Sequence, residues 1–150
     1  MRRTEKKGPQ CIGRSRGGNT TKLHLVAAND KTAVGLMLSA GQLHDAPQGR
    51  LLLSAMGKVE NRPFLLMDRA YEDAATRELA ISLGYCPVVP PKKNRPNPWA
   101  YDHELYKRRN EIERLFRRLK RFRRVCTRYD KLDVVFRSFV MLALVIDALC

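Results

Sequence analysis

The stretch PFLLMDRAYEDAATRELAISLGYCPVVPP, Pro63 to Pro91, decides the fold class. Its first part, PFLLMD (63–68), is a short apolar run that stops at an acid, as a buried strand does when it delivers Asp68 at its carboxyl end. EDAATRELAISLG continues with helical spacing over 73–83, and Gly84 is the stop. YCPVVPP then supplies a second strand over 86–90, whose prolines suit a sheet edge. Strand, helix and strand in this order predict a βαβ unit with parallel strands. In such sheets chemistry gathers at the carboxyl ends of strands, which singles out Asp68.

Outward from this unit the pattern stays mixed. KLHLVAA (22–28) and AVGLMLSA (33–40) alternate around Asn29-Asp30-Lys31 and predict a hairpin. GRSRGGNTT (13–21) before them is glycine-rich, but it has no Walker lysine and reads as a turn rather than a phosphate loop. Asp45 is the expected N-cap of a helix running through Leu51 to Met56. After the βαβ unit, KKNRPNPWAYD reads as a loop, a long basic helix is expected from Asp102 to Phe122, and a last helix from Val134 to Leu149. The whole is an α/β chain in a single domain over 1–150, with a polar basic lead-in at 1–12 and an apolar C-terminal helix at 134–150.

Composition narrows the partner. The chain has 150 residues, 44% of them hydrophobic, which is enough for one domain with a core and too much for a disordered basic tail. A net charge of +14 calls for a polyanion, nucleic acid first and an acidic membrane surface second. MRRTEKKGPQ has no apolar run behind it and is not a secretory signal. VVFRSFVMLALVIDALC (134–150) falls short of the roughly 20 residues of a membrane span and carries Arg137 and Asp147, so it reads as a core or partner-packing helix. Cys11, Cys86, Cys126 and Cys150 form no CxxC pair and are expected to be reduced thiols in a cytoplasmic protein. His24, His44 and His103 do not join them at zinc-ligand spacing.

The long helix carries the rest of the signal. YKRRNEIERLFRRLKRFRR, Tyr106 to Arg124, holds ten Lys and Arg residues against two acids, Glu111 and Glu113. At about 100° per residue, Leu105, Ile112, Phe116 and Leu119 share a stripe that should pack on the sheet. Tyr106, Arg109, Glu113 and Lys120 fall in an arc beside it, while Arg108, Arg114, Arg118 and Arg121 point largely to solvent. Glu113 has Arg109 four residues before it and Arg117 four after, so a pair of weak helical ion pairs accounts for it as simply as a metal site does. A carboxylate there and another at Asp68 also suit a hard divalent cation in phosphoryl transfer.

Tyr106, Arg109, Glu113 and Lys120 reproduce the spacing Y-(2)-R-(3)-E-(6)-K around the catalytic glutamate of bacterial insertion-sequence DDE transposases. GRSRGGNTTKLH, SAGQLHDA, LLMDRAYE, VVPPKKNR and RRVCTRYDKL resemble segments of the insertion-sequence-5 family in that family's order, from about Ile12 to Cys150. The resemblance implies an RNase H-like mixed sheet with flanking helices. It also implies Mg²⁺-dependent (or Mn²⁺-dependent) cutting and joining of double-stranded DNA at transposon ends and target. Asp68 and Glu113 would be catalytic and hold the metal, and Tyr106, Arg109, Arg117 and Lys120 would line the DNA.

One family feature is missing. The first catalytic aspartate of the family lies on a strand before the GRSRGG segment, central in the sheet, and residues 1–21 hold a single acid, Glu5. Asp30 lies in the hairpin turn and is a poor replacement. The expectation is a sheet without its first, central strand, inactive alone. Such a chain is either a truncated copy or one reading frame of a fused product, whose partner is the upstream-frame product or a full-length transposase. A DNA-end-binding regulator without catalysis is the alternative function.

Overall fold

A computed structural model of the protein describes residues 8–150; Met1–Lys7, with most of the lead-in and Glu5, lie outside the described residues. In chain order the elements are β1 (Gly13–Ser15), β2 (Gly18–Ala27), β3 (Ala33–Ala40), α1 (Asp45–Met56), β4 (Phe64–Leu66), a 3₁₀ turn (Arg69–Tyr71), α2 (Ala74–Ser82) and β5 (Cys86–Val88). The helices α3 (His103–Lys107), α4 (Asn110–Leu119), α5 (Arg123–Cys126) and α6 (Asp133–Leu149) follow. They form two compact units, one of the described residues up to Leu43 with Ile112–Cys150 and one of His44–Glu111. The protein is mixed α/β, as the alternation of elements requires.

In the first unit an antiparallel sheet runs β1-β2-β3. The expected hairpin is there, with Leu23 opposite Leu38 and Leu25 opposite Leu36 and a bulge at Val26/Ala27. Asn29 closes its turn by accepting at Oδ1 from the Lys31 and Thr32 amides, both at 2.9 Å. GRSRGG is more than a turn: Gly13–Ser15 folds back on Gly18–Thr20, and Gly18 takes φ +97°, which favours glycine. Leu23, Leu25 and Ala27 project from one face of β2 onto Leu115, Leu119 and Ala143, which are 0–2% exposed. Ile112 and Phe122 complete that core. The buried stripe is therefore centred on Leu115, with Phe116 only half-buried at its margin.

Two arginines lock this unit. Arg118 donates through Nε to both oxygens of Asp147 at 2.8 and 2.9 Å and through Nη2 to the Asp30 carbonyl. It is a clamp between α4, α6 and the hairpin turn, not a solvent-facing charge as its helical position suggested. Arg128 gathers Thr21 Oγ1, the Asp130 carbonyl and Asp133 Oδ1 at 2.7–2.8 Å. Its guanidinium lies 4.9 Å from the Phe136 ring centroid.

In the second unit β4 and β5 pair in parallel, Phe64 with Cys86 through Leu66 with Val88, joined by α2 as the βαβ reading required. Asp73 caps α2 by accepting from Thr76 N at 2.9 Å and Thr76 Oγ1 at 2.7 Å. Gly84 ends the turn at φ +92°, and a Cβ there would meet the Val59 carbonyl. Leu53, Ala80 and Tyr85 form the core with Val59, Leu65, Leu79 and Leu83 around them.

Two element boundaries differ from expectation. His44, not Asp45, occupies the N-cap of α1 and makes no side-chain cap bond; Asp45 is the first helical residue, where a carboxylate still favours the positive end of the helix dipole. The basic helix is broken. Asp102 caps α3 where the helix was expected to start, but the amides of Arg108, Arg109 and Glu111 bond three residues back, to Leu105, Tyr106 and Arg108. This 3₁₀ tightening at Arg108–Arg109 changes the helical phase, so Tyr106 and Arg109 do not share one uniform helix with Glu113 and Lys120. Among the described residues no helix is long and apolar enough to cross a membrane.

Candidate catalytic site

Asp68 lies two residues beyond the carboxyl end of β4, where the chain leaves the sheet. Met67 N still bonds Val88 O at 3.0 Å, and the register of Leu66 with Val88 sets Asp68 level with Pro90 where the two strands leave the sheet. The Asp68 carboxylate caps the 3₁₀ turn, accepting from Arg69 N at 2.5 Å, and its side chain is 61% exposed. A carboxylate with that exposure keeps oxygen lone pairs for an incoming cation or phosphoester partner.

Two signature residues reach it within the same unit. Arg109 Nη1 stands 3.9 Å from Asp68 Oδ2, and the guanidinium lies 5.6 Å from the Tyr106 ring centroid. Tyr106 packs edge-on against Tyr101 with centroids 5.6 Å apart. Burial raises the Tyr106 phenol above its ordinary value; Arg109 opposes this rise, and Asp68 and Tyr101 add to it. On the other side of the turn, Tyr71 packs its ring on Gly49, and burial together with Asp45 and Asp68 pushes its phenol up to about 12. Both phenols stay protonated, as donors rather than anions, beside a carboxylate.

Glu113 and Arg117 are carried by α4 in the first unit, and Lys120 is the residue that follows it. Arg117 and Lys120 are exposed, and Glu113 is half-buried. Thus Asp68, Tyr106 and Arg109 belong to one unit, and the other three residues to the other. No group of three or more potential metal-ligating side chains exists among the described residues. The carboxylate oxygens of Asp68 and of Glu113 are each of the hard donor type that a divalent cation takes.

Sequence reading passes over Glu72 and its two cationic partners. Glu72, 3% exposed, binds Arg95 Nε at 2.6 Å and Lys92 Nζ at 3.1 Å. The Arg95 hydrogen bond, helped by Lys92 and opposed by burial, holds the Glu72 carboxyl below its usual range. Glu72 lies in LLMDRAYE and its partners in VVPPKKNR, two segments already notable for their resemblance; their pairing across 23 residues was the unreadable part. Because the folded value is depressed, the Glu72 contribution to stability is fully present above its unfolded value near 4.3 and disappears as pH falls through the folded value. Glu72→Gln should therefore lower stability by about 1.5 kcal/mol at pH 7, with the difference shrinking below about pH 4. Urea unfolding at a series of pH values checks this, and a deficit that persists undiminished into acid would contradict it.

Two family models described as transposase DDE domains match the chain, one over residues 1–96 and the other over residues 65–150. They overlap on the βαβ unit that carries Asp68. A Brucella ovis protein described as a transposase for insertion sequence element IS6501 is 35% identical over 129 residues, covering 83% of this chain and 94% of that protein. No solved structure matches. The chain belongs to the DDE transposase family of insertion sequences, and its function lies in DNA transposition.

Proposed function

We propose that this chain supplies the downstream part of an RNase H-like transposase catalytic domain of the insertion-sequence-5 type, acting in the cytoplasm on transposon-end and target DNA duplexes. The observation that carries the reading is the convergence of Asp68, Arg109 and Tyr106 beyond the carboxyl end of a parallel β-pair. Asp68 and Glu113 would hold Mg²⁺ or Mn²⁺, which when bound supplies charge neutralisation at phosphorus and activation of the attacking oxygen. Arg109 stands ready to accept a phosphate in place of its long contact to Asp68. Tyr106, protonated, offers an O–H to a phosphate oxygen. Arg117 on α4 and Lys120 just past its end, both exposed, extend the cationic track along the DNA backbone.

Open strand edges support the reading of an absent central strand. Among the described residues, β2 from Thr21 to Ala27 is paired on one side only, with β3, and β4 is paired only with β5. Those open edges are where an upstream strand bearing the family's first aspartate would pair. On this reading the chain alone binds DNA ends without cutting them, which is also how a competing regulator of full-length transposase would act.

DNA recognition is expected to be mostly through phosphates. The basic side chains offer charge rather than base-reading geometry, so affinity for duplex DNA should fall by roughly a factor of 10³ or more between 50 and 200 mM salt. Fluorescence anisotropy with a labelled duplex measures it. A dissociation constant unchanged over that range would contradict the reading.

A further inference from the structure

The turn between β5 and α3 is built more firmly than a connecting loop needs. Its sequence is PPKKNRPNPW, Pro90 to Trp99, with four prolines that fix backbone φ on both sides of Lys92–Arg95. Arg95 N bonds the Lys92 carbonyl at 3.1 Å, which makes Lys93 and Asn94 the tip of the turn. Glu72 lies beneath and holds both shoulders, Lys92 and Arg95. Trp99 pins the far end: its Nε1 donates to the Val89 carbonyl at 2.9 Å, and Arg77 and Arg95 lie 3.7 and 5.0 Å from its ring centroid. Four cations, Lys92, Lys93, Arg77 and Arg95, surround this turn, and two of them, Lys92 and Arg95, pair with the buried Glu72. Lys93 at the tip is exposed and has no carboxylate partner among the described residues.

Pro90, where the segment starts, lies two residues past Val88 as Asp68 lies two residues past its register partner Leu66, so the two leave the sheet side by side. We propose that the Lys92–Arg95 turn is a preorganised grip for the phosphates of the DNA strand presented to Asp68, with Lys93 as the direct contact and Glu72 as a positioning residue. The inference rests on the DNA-binding reading above and adds a surface and two residues to it. Fixing the cations before DNA arrives removes the ordering cost that flexible lysines otherwise incur on binding.

The sign of one substitution separates this from simple charge attraction. Glu72→Gln removes a negative charge, so a featureless basic surface would bind DNA more tightly. A turn that depends on Glu72 for its shape loses affinity instead, by about threefold to tenfold. Lys93→Glu, at an exposed position that leaves folding intact, should weaken binding about tenfold and flatten the salt dependence by at least about one counterion. Trp99 is the chain's single tryptophan, so its emission should change as duplex DNA saturates the protein. The full chain is titrated with one duplex by anisotropy and by Trp99 emission, with circular dichroism confirming that both variants are folded. Tighter binding by Glu72→Gln, or unchanged binding by Lys93→Glu with silent Trp99 emission, overturns the grip while leaving DNA binding standing. Failure of the unaltered chain to bind duplex DNA overturns the underlying reading, and the grip with it.

Discussion

Residues 1–150 alone, given Mg²⁺ or Mn²⁺ and a duplex ending in the transposon terminus, are expected to leave the DNA uncut. The same chain joined to, or mixed with, an upstream segment whose strand ends in aspartate should nick it. Two carboxylates leave a metal pair short of anionic ligands, and ligand geometry is what positions the attacking oxygen. On the proposed reading the upstream strand matters as much as the acid it carries. Each buried backbone group left unpaired costs about 1–3 kcal/mol, and β2 and β4 both show open edges among the described residues. In the complemented protein Asp68→Ala and Glu113→Ala should each reduce nicking by at least about a hundredfold, since even ligand-supporting groups are worth 10- to 100-fold. Robust nicking by the unaided chain, abolished by both substitutions, would mean that the first aspartate is dispensable or replaced from within.

The second large effect concerns stability. Arg118→Ala should destabilise the unit containing α4 and α6 by about 3 kcal/mol, because it strands the Asp147 carboxylate without a cation. The Asp147 side chain is 8% exposed and that of Arg118 23%, which places the loss at the lower end of the range for buried pairs. The Asp30 carbonyl also loses its donor. Replacing both partners, Arg118→Leu with Asp147→Leu, should recover most of the loss, since an apolar pair leaves no orphaned charge. Urea denaturation at fixed pH reads both. A cost under about 1 kcal/mol for Arg118→Ala would show the clamp to be an ordinary surface ion pair.

The same arginine shows where sequence reading stops. Arg118 was assigned to solvent from its angle on a helix, but its partners are 29 residues ahead and 88 residues behind. Helical periodicity describes a helix's own faces and says nothing of a carboxylate arriving from elsewhere. Local signals did better. The βαβ unit is legible because its apolar runs, the helical spacing between them and the stop at Gly84 all act within a few residues. The bounds of β3 followed from alternation alone. β1 was missed because three residues are too few to show a period. The break at Arg108–Arg109 was missed because 3₁₀ tightening needs no proline or glycine to announce it.

In the site, Asp68 was legible from its place at the end of a strand. Tyr106 and Arg109 entered through the family spacing, and their approach to Asp68 is a feature of the folded unit. Glu72 carried no local mark at all: a buried acid needs partners to be tolerated, and those partners come from the next loop.

Manganese binding tests the central claim most directly, since it requires neither cleavage nor a complete sheet. Free Mn²⁺ is followed by electron paramagnetic resonance as it is titrated into the chain in the presence of a transposon-end duplex. Asp68 and Glu113 sharing one ion predict a protein-dependent binding event that weakens by about tenfold or more in Asp68→Ala and in Glu113→Ala alike. Mn²⁺ uptake that is the same in both variants as in the unaltered chain would contradict the assignment of these two carboxylates to a common metal site.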